Sequence, residues 1–520
     1  MGLLELNLVY MKLCRRCHQI QYHEETIASR AKSGCLPFQQ DETSLDGQIN
    51  RHPRQSDPGP NLPEDIWCQI HSLLPMRDAA RLACVSRAFA YFWRYHPNLV
   101  FSKETLGIGV NSCGEDTKMR EFTSKVDCIL KRHSGIGVKT LRLEVGDIHS
   151  VKDCCHLYHL DSWLHSAVKP GIEELDLTLS GRNAQYNFPC SLLYGGTGDS
   201  LLHLVLASCH FHPIELLCLK SLTRLSLAKV DILEDELEFV LSNSFSLEQL
   251  ELSHCNNIVC LKIPCLQRLS SLEVFACSFV QVIESKAPNI SNFRFAGDLH
   301  VLPSLGRMPP IKKLFVSCDG AAFYARTKFP FSMPNLEALS ICSREVVNTP
   351  MVNSKFLHLK VLNIIIGGHA YDLLSLVSFF DSSPSLETFT LNVMPVHGGR
   401  VSIFADHLDL RTVPEHHHDK LKHVEIINFS SAKSLIEFTC HILLSTRSLE
   451  RLTLDTTLGF SRCSASESGE CLPMRKDALA EAHRTLLVVQ TYIKPNVFPT
   501  VELKALGPYR RRHVKLSLYY

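Results

Sequence analysis

Apolar residues recur in one frame, apolar-x-x-apolar-x-apolar, along most of the chain from about residue 138. A cysteine often follows three positions after the frame, as in Leu247–Cys255 (LEQLELSHC). With so many hydrophobic residues a single match means little, but recurrence at a stable interval is informative. The frames begin at Val138, Ile172, Leu201, Leu222, Leu247, Leu269, Ile290, Ile311, Leu336, Leu359, Leu386, Leu421 and Leu449.

The interval between frames identifies the type of repeat. It averages about 26 residues, which lies within the 20–29 residues of leucine-rich repeats. The leucines of such a unit are buried only when neighbouring units stack, so the repeats share one continuous core. We therefore predict a curved α/β solenoid of about thirteen leucine-rich repeats over residues 138–457.

The cysteine at the end of the clearest frames is predicted to be structural. It is small and weakly polar, and it can turn inward where the strand ends. Neither an acid nor a histidine recurs in step with Cys209, Cys255 and Cys277, so a catalytic or metal-binding role is not favoured. We expect these thiols to be buried and reduced.

The x positions of each frame lie beside the strand leucines. They face the concave surface of such a solenoid, and specificity is expected to reside there. Read in order, they are acidic at first and then mixed and aromatic, a pattern that suits a protein surface better than a polyanion. The alternative is a generic solvated face. The predicted target-binding residues are Arg142, Glu174, Asp176, Arg224, Glu251, Glu273, Phe275, Arg294 and Phe315.

A different pattern precedes the repeats. Residues 1–60 are rich in polar residues, proline and histidine, and we predict a disordered leader. From residue 61, short apolar periodicities predict three helices. Pro75 is expected to end the first, Asp78 to cap the second and Ser86 to cap the third. A unit of about forty residues cannot bury its own apolar surface, so a partner surface is expected.

The segment from Leu62-Pro63-Glu64-Asp65-Ile66 through Val85-Ser86-Arg87-Ala88-Phe89 to Trp93 resembles the F-box motif in the form common in plant F-box proteins. The resemblance covers residues 61–101. It implies binding to a Skp-type adaptor and, through it, to a cullin scaffold. The alternative is a small helical cap on the solenoid. The residues that the resemblance places at the adaptor are Leu62, Pro63, Ile66, Ile70, Leu82 and Val85.

The remaining segments complete the domain prediction. Residues 102–137 are assigned to a linker and N-terminal cap of the solenoid. Residues 458–520 resemble the FBD-type ending of plant F-box proteins with leucine-rich repeats. Within this ending, Ala478–Ala482 is helix-like and Leu486–Val489 is strand-like.

Composition excludes several classes of protein. Lys plus Arg (54) nearly balances Asp plus Glu (53), which gives no electrostatic excess for nucleic acid or an anionic membrane. We see no signal peptide or membrane span, so we expect a cytoplasmic or nuclear protein. Cys14–His18 has half the spacing of a zinc site, but no second Cys/His pair follows at the required distance, so we interpret it as an accidental pair. The three consecutive histidines His416–His418 point in different directions on a regular backbone and are interpreted as a solvated loop. No metal or cofactor is predicted.

No phosphate loop, zinc-protease helix or nucleophile elbow stands in a usable context, so the chain is predicted not to be an enzyme. The function predicted from these features is that of a substrate receptor in a Skp-cullin-F-box ubiquitin ligase, with the repeats binding an unknown protein substrate. Two alternatives remain open. One is a repeat scaffold without a role in ubiquitin transfer, and the other is a small-ligand receptor that uses the same solenoid.

Overall fold

The computed structural model describes most of the F-box and repeat regions. The described chain divides into two units at Ile70, with residues 63–70 in the first and residues from His71 to 507 in the second. The predicted leader, Leu62 and the end of the chain after residue 507 lie outside the described residues. Those described are 63–85, 87–109, 115–134, 137–146, 155–180, 186–214, 217–305, 311–343, 349, 353–367, 373–394, 402–404, 410–411, 417–456 and 476–507.

Three short helices open the described chain, as predicted: Glu64–Ser72, Met76–Val85 and Arg87–Trp93. The boundary between the two units falls inside the first helix. Asp78 does not cap the second helix, because that helix already begins at Met76. It lies in the first turn and pairs with Arg81 at 3.1 Å. A carboxylate there is stabilised by the amide end of the helix dipole. Ser86, the predicted third cap, lies outside the described residues.

A parallel sheet of fifteen strands dominates the second unit. Consecutive strands along the chain pair with each other, except where β7 and β9 leave the sheet and pair separately. The strands are β1 Asn98–Phe101, β2 Thr140–Val145, β3 Glu174–Leu179, β4 His203–Ala207, β5 Arg224–Ala228, β6 Gln249–Ser253, β7 Cys260–Ile263, β8 Ser271–Phe275, β9 Val282–Ser285, β10 Asn292–Ala296, β11 Lys313–Ser317, β12 Ala338–Ser343, β13 Val361–Ile366, β14 Thr388–Val393, β15 His423–Ile427, β16 Arg451–Asp455 and β17 Glu502–Leu506.

The repeat prediction is confirmed strand by strand. Each of the thirteen frames is followed two residues later by the first residue of a strand, from Val138 and β2 to Leu449 and β16. The predicted fold class, a helical F-box region followed by an α/β repeat sheet, is therefore correct. The sheet continues beyond the frames at both ends, where β1 pairs with β2 and β17 pairs with β16.

Strand burial alternates as the frame requires. In β3, Leu175, Leu177 and Leu179 are buried while Glu174, Asp176 and Thr178 are half-buried on the other face. Leu204, Leu225, Leu250 and Leu272 continue the same buried row across four further strands. Each leucine packs against its counterpart in the next repeat, so the core is shared by all repeats.

Helices and short turns connect most of the strands. β7 and β9 were not predicted. They lie between β6 and β10 along the chain and pair with each other in a small second sheet. The α-helices after the F-box region are Glu115–Arg132, Cys155–Ala167, Gly196–Ser200, Glu234–Ser242, Leu302–Leu305, Ala321–Ser332, Val377–Ser382, Lys433–Ser445 and Lys476–Val488. Among the described helices, none combines the length and apolar character needed to cross a bilayer.

One predicted element near the C-terminus is wrong. Leu486–Val489 was expected to be a strand, but Lys476–Val488 is a helix that continues as one π-helical turn to Ile493. A short apolar run cannot distinguish a strand from a buried helix by periodicity alone. Here Ala482, Thr485 and Val488 are buried at helical spacing.

Candidate functional site

The open face of the sheet, defined as the face opposite the leucine core, carries the predicted target-binding residues. Parallel register places equivalent positions of successive repeats side by side. Arg142 of β2 is opposite Asp176 of β3. Farther along, Glu251, Glu273, Arg294 and Phe315 are successive members of the same row on β6, β8, β10 and β11. Glu174 and Arg224 belong to the adjacent row, two residues earlier on their strands.

At the first repeats, Arg142 is held by two carboxylates. Its Nη2 lies 2.7 Å from Oε1 of Glu174, and its Nε lies 3.1 Å from Oδ2 of Asp176. Burial raises the pKa of the Asp176 carboxyl, and the charge of Arg142 partly opposes that shift. This cluster links β2 to β3, and because two carboxylates face one arginine it leaves no free positive charge there.

A second arginine–glutamate ion pair joins β5 and β6. Nη2 of Arg224 on β5 lies 2.7 Å from Oε1 of Glu251 on β6. Both side chains are about four-fifths buried, so water screens this pair less than it would a surface pair. The pair therefore connects neighbouring repeats across the sheet.

An aromatic and charged cluster occupies the middle of the open face. The guanidinium carbon of Arg294 lies 5.1 Å from the ring centroid of Phe275 and 5.4 Å from that of Phe315. The two rings are 6.0 Å apart, and Nη1 of Arg294 donates to Oε1 of Glu273 at 2.9 Å. The three distances form a nearly equilateral triangle, so the guanidinium lies beside the two stacked rings rather than between them. Close to both rings and neutralised by one carboxylate, it is stabilised by both cation–π attraction and ion pairing.

All nine predicted target-binding residues thus lie on the open face, but not all of them are exposed for contact with a target. Sequence analysis treated them as separate surface positions, but most pair with one another, and Phe275, Arg294 and Phe315 are buried. The pairing could not be seen without the strand register, which brings together residues 21 to 34 positions apart. Their role in target binding remains a prediction.

The predicted cysteine positions are buried at the strand ends, as expected for Cys209, Cys255 and Cys277. The thiol of Cys255 donates to the carbonyl of Leu227, and that of Cys277 to the carbonyl of Phe275, both at 3.5 Å. These contacts satisfy backbone carbonyls where the chain leaves the sheet. The cysteines therefore act as structural positions in the repeat.

A backbone feature beside these cysteines was not predicted. The residue immediately after β4, β5, β6 or β8 has a left-handed conformation, which turns the next side chain inward. Left-handed φ is uncommon for residues with a Cβ. The four residues are Ser208 (φ 58°), Lys229 (54°), His254 (54°) and Ala276 (49°). Because these positions carry four different residue types, the sequence gives no common signal for the turn.

The F-box residues assigned to the adaptor differ in exposure. Pro63 and Ile70 are exposed, whereas Ile66 and Leu82 are half-buried. Leu62 and the side chain of Val85 lie outside the described residues, so the structure does not place them. Adaptor binding by this set stays a prediction.

The structure adds Leu73, which was not among the assigned adaptor residues although it follows the same helical spacing. Its exposed fraction is 80%. Removing a leucine from water is favourable, so this side chain would add to any apolar contact made at this end of the helix.

The following part of the F-box region contains a compact aromatic and histidine cluster. Trp93 stacks on His96 at 5.6 Å, and the ring of His71 meets His96 edge-on at 5.3 Å. His133 places Nε2 2.9 Å from the carbonyl of His96. Burial, aided by the charges of His71 and His133, lowers the pKa of His96 to about 4, so its ring is neutral at physiological pH.

Three short helices followed by a parallel sheet of leucine-rich repeats define an F-box protein with leucine-rich repeats. The F-box domain model matches residues 60–101, and the model described as At1g61320/AtMIF1, LRR domain, matches residues 129–509. The chain belongs to the At1g61320/AtMIF1 LRR domain family. It is a plant F-box protein with protein-interaction repeats.

Curated relatives agree with this assignment. The F-box/FBD/LRR-repeat protein At1g13570 of Arabidopsis thaliana is 24% identical over 76% of this chain and 91% of its own length. From the same plant, F-box/LRR-repeat protein At5g02910 is 26% identical over 41% of this chain, and F-box/FBD/LRR-repeat protein At5g56420 is 26% identical over 40%. The chain spans less than half of the last two, 42% and 47%.

Proposed function

We propose that this chain is the substrate receptor of a Skp-cullin-F-box ubiquitin ligase. The F-box region binds a Skp-type adaptor and, through it, a cullin, while the open face of the repeats binds a protein target. In this arrangement the chain contributes proximity and orientation rather than catalysis. The proposed setting is the cytoplasm or nucleus, and no nucleic acid or membrane takes part.

The observation that carries the proposal is the F-box match at residues 60–101, together with the exposed Leu73 inside it. A module of this size buries little apolar area of its own, and a partner supplies the missing surface. The proposed adaptor contacts are Leu73 with the residues assigned above, Leu62, Pro63, Ile66, Ile70, Leu82 and Val85.

Support for a protein target comes from the open face. Arg142, Arg224 and Arg294 each pair with a carboxylate of a neighbouring strand, so these three cations are already neutralised. A phosphate-bearing small ligand needs cations that it can pair with. The paired, partly aromatic surface matches a protein partner better, because protein interfaces are rich in aromatic residues and arginine.

The test uses the full chain and a recombinant Skp-type adaptor. Leu73→Asp places a carboxylate where the adaptor is proposed to bury a leucine, so the affinity should fall at least about tenfold. The matched control is Leu357→Asp, because Leu357 is 59% exposed and lies in the repeat region. That variant should bind the adaptor as wild type does.

Circular dichroism establishes first that both variants are folded, and cullin recovery from plant extract is then measured in parallel. Wild-type chain that retains neither adaptor nor cullin would contradict the ligase role and favour a repeat scaffold. If wild type binds and folded Leu73→Asp binds equally well, Leu73 lies outside the interface.

A further inference from the structure

The turns that follow β4 and β5 bring two histidines and an aspartate together. Within the described chain, one ligand atom each from His210, His212 and Asp231 lies within 4.8 Å of the others. These residues belong neither to the F-box region nor to the open-face rows. The sequence signal for them is only a His-x-His after Cys209, which the repeat pattern did not explain.

The backbone holds this group in register. His210 and Asp231 form a parallel bridge between neighbouring repeats. Phe211 N–H donates to the carbonyl of Asp231 at 2.9 Å, and Asp231 N–H donates to the carbonyl of Cys209 at 3.0 Å. The separation of the two side chains is therefore fixed by the repeat itself and does not depend on a mobile loop.

Carboxylates orient both imidazoles. Nδ1 of His210 lies 2.7 Å from Oδ2 of Asp231, and Nδ1 of His212 lies 3.0 Å from Oε1 of Glu236. Glu236 is itself fixed, because Leu233 N–H donates to its Oε2 at 2.8 Å. Asn257 Nδ2 donates to Asp231. A histidine that ligates a metal is commonly oriented by a carboxylate on its other ring nitrogen, and Glu236 does this for His212.

We propose that His210, His212 and Asp231 bind one divalent transition-metal ion, with Zn²⁺ as the natural choice. Imidazole and carboxylate together suit zinc and neighbouring metals rather than calcium or magnesium. The charges of Asp231 and Glu236 offset those of the ion. His210 offers Nδ1, which already faces Oδ2 of Asp231 at 2.7 Å, so the ion replaces the proton between these two atoms. His212 keeps Glu236 on Nδ1 and offers Nε2. Water completes the coordination in a site with three protein ligands.

Small side-chain rotations close the site. Tetrahedral zinc with bonds of about 2.0–2.1 Å requires ligand atoms roughly 3.3 Å apart, so separations of up to 4.8 Å must shorten by at most roughly 1.5 Å. The 2.7 Å between His210 and Asp231 must lengthen slightly. The side chain of His212 is 47% exposed and has room to turn. Because the ligands come from two turns, the bound ion clamps the repeat of β4 to that of β5.

The experiment titrates Zn²⁺ into the full chain after dialysis against EDTA, by calorimetry and thermal unfolding. Wild type should bind one more equivalent than His212→Gln or Asp231→Asn, and zinc should raise the Tm only where that equivalent binds. His300→Gln is the matched control, since His300 is an exposed histidine of a later repeat and is not a member of the cluster. This variant should behave as wild type.

Equal stoichiometry and equal Tm shift in wild type and both site variants would overturn the proposal. A crystal of the wild-type chain soaked in Zn²⁺ gives a test that needs no folded variant. Anomalous scattering at the zinc edge should show a peak between His210, His212 and Asp231. Zinc peaks elsewhere with none at this position would equally contradict the site.

Discussion

Arg294 and Glu273 form the most enclosed ion pair of the open face, with Nη1 2.9 Å from Oε1 and side chains only 10% and 17% exposed. They stand opposite each other on β10 and β8, and the guanidinium lies beside the stacked rings of Phe275 and Phe315. A charge in this position is costly to bury without its partner. The two residues therefore contribute to stability whether or not a target touches them.

Glu273→Lys should destabilise the folded chain. The change removes the partner of Arg294 and adds a second cation beside it, and breaking a buried pair costs about 3–5 kcal/mol. Urea unfolding followed by circular dichroism measures the loss. Adding Arg294→Glu to Glu273→Lys should recover part of it, because the pair is then reversed.

Glu425→Lys serves as the comparison for this prediction. Glu425 occupies the same row on β15 and is half-buried, and surface changes of this kind usually alter stability by less than about 0.5 kcal/mol. Equal destabilisation by Glu273→Lys and Glu425→Lys would show that the ion pair adds nothing. Any study of target binding with Glu273 variants needs this stability measurement beside it.

Ala276→Gly should stabilise the protein, against the usual effect of glycine. Ala276 has φ 49°, and the left-handed conformation costs a residue with a Cβ about 1–2 kcal/mol. Glycine removes most of that cost, although it also gains entropy in the unfolded chain. We expect a net gain of up to about 1 kcal/mol in thermal or urea unfolding.

The matched control for Ala276→Gly is Ala228→Gly. Ala228 is the last residue of β5, where the backbone is extended, so glycine there should lower stability by about 0.5–1 kcal/mol. Opposite signs for the two alanines are the expected result. A loss of stability in both would mean that the left-handed turn carries no strain.

His96 should make the region around the F-box sensitive to acid. Its pKa is lowered from 6.5 to about 4, so the unfolded chain takes up the proton first as the pH falls. The stability that this group contributes is present above pH 6.5 and is lost between pH 6.5 and 4. His96→Phe keeps an aromatic ring against Trp93 and should resist acid unfolding better than wild type.

Acid titrations of wild type and His96→Phe, followed by circular dichroism, measure the difference. His358→Gln changes an exposed histidine in the repeats and should leave the wild-type curve in place. Among the described residues, neither ring nitrogen of His96 has a hydrogen-bond partner, so phenylalanine leaves no polar group unsatisfied. Identical acid curves for all three proteins would rule out His96 as the sensitive group.

Sequence alone predicted the strands because the leucine frame repeats a local constraint thirteen times. Each strand of β2 to β16 outside the small second sheet begins where its frame places it. β7 and β9 were missed because Cys260–Ile263 and Val282–Ser285 are short and lie between frames. A four-residue strand has too few positions for its alternation to stand out.

The chemistry of the surface was less accessible to sequence analysis, because it depends on register. Arg294 and Glu273 are 21 residues apart, and only stacked repeats place them in contact. The same holds for His210 and Asp231. The sequence identified which residues lie on the open face. The fold showed which of them pair, and this pairing determines how much net charge and exposed surface they leave.

The last prediction concerns the thiols of the repeats. Cys209, Cys255 and Cys277 are buried, and burial raises the pKa of the Cys209 thiol to about 12. A hydrogen bond with Cys255 and burial also raise the pKa of Cys277, whereas the same hydrogen bond lowers the pKa of Cys255. Alkylation needs both access and the thiolate, so all three should react slowly in the folded chain, Cys255 through its burial alone. Cys265 is exposed near β7 and should react first under the same conditions.

Mass spectrometry after timed treatment with iodoacetamide gives the order of labelling. In urea all four cysteines should label quickly, which shows that the native delay comes from folding rather than from local sequence. Native labelling of Cys209, Cys255 and Cys277 at the rate of Cys265 would mean that the strand ends open readily. The thiols could then not be the structural positions that link each strand to the turn after it.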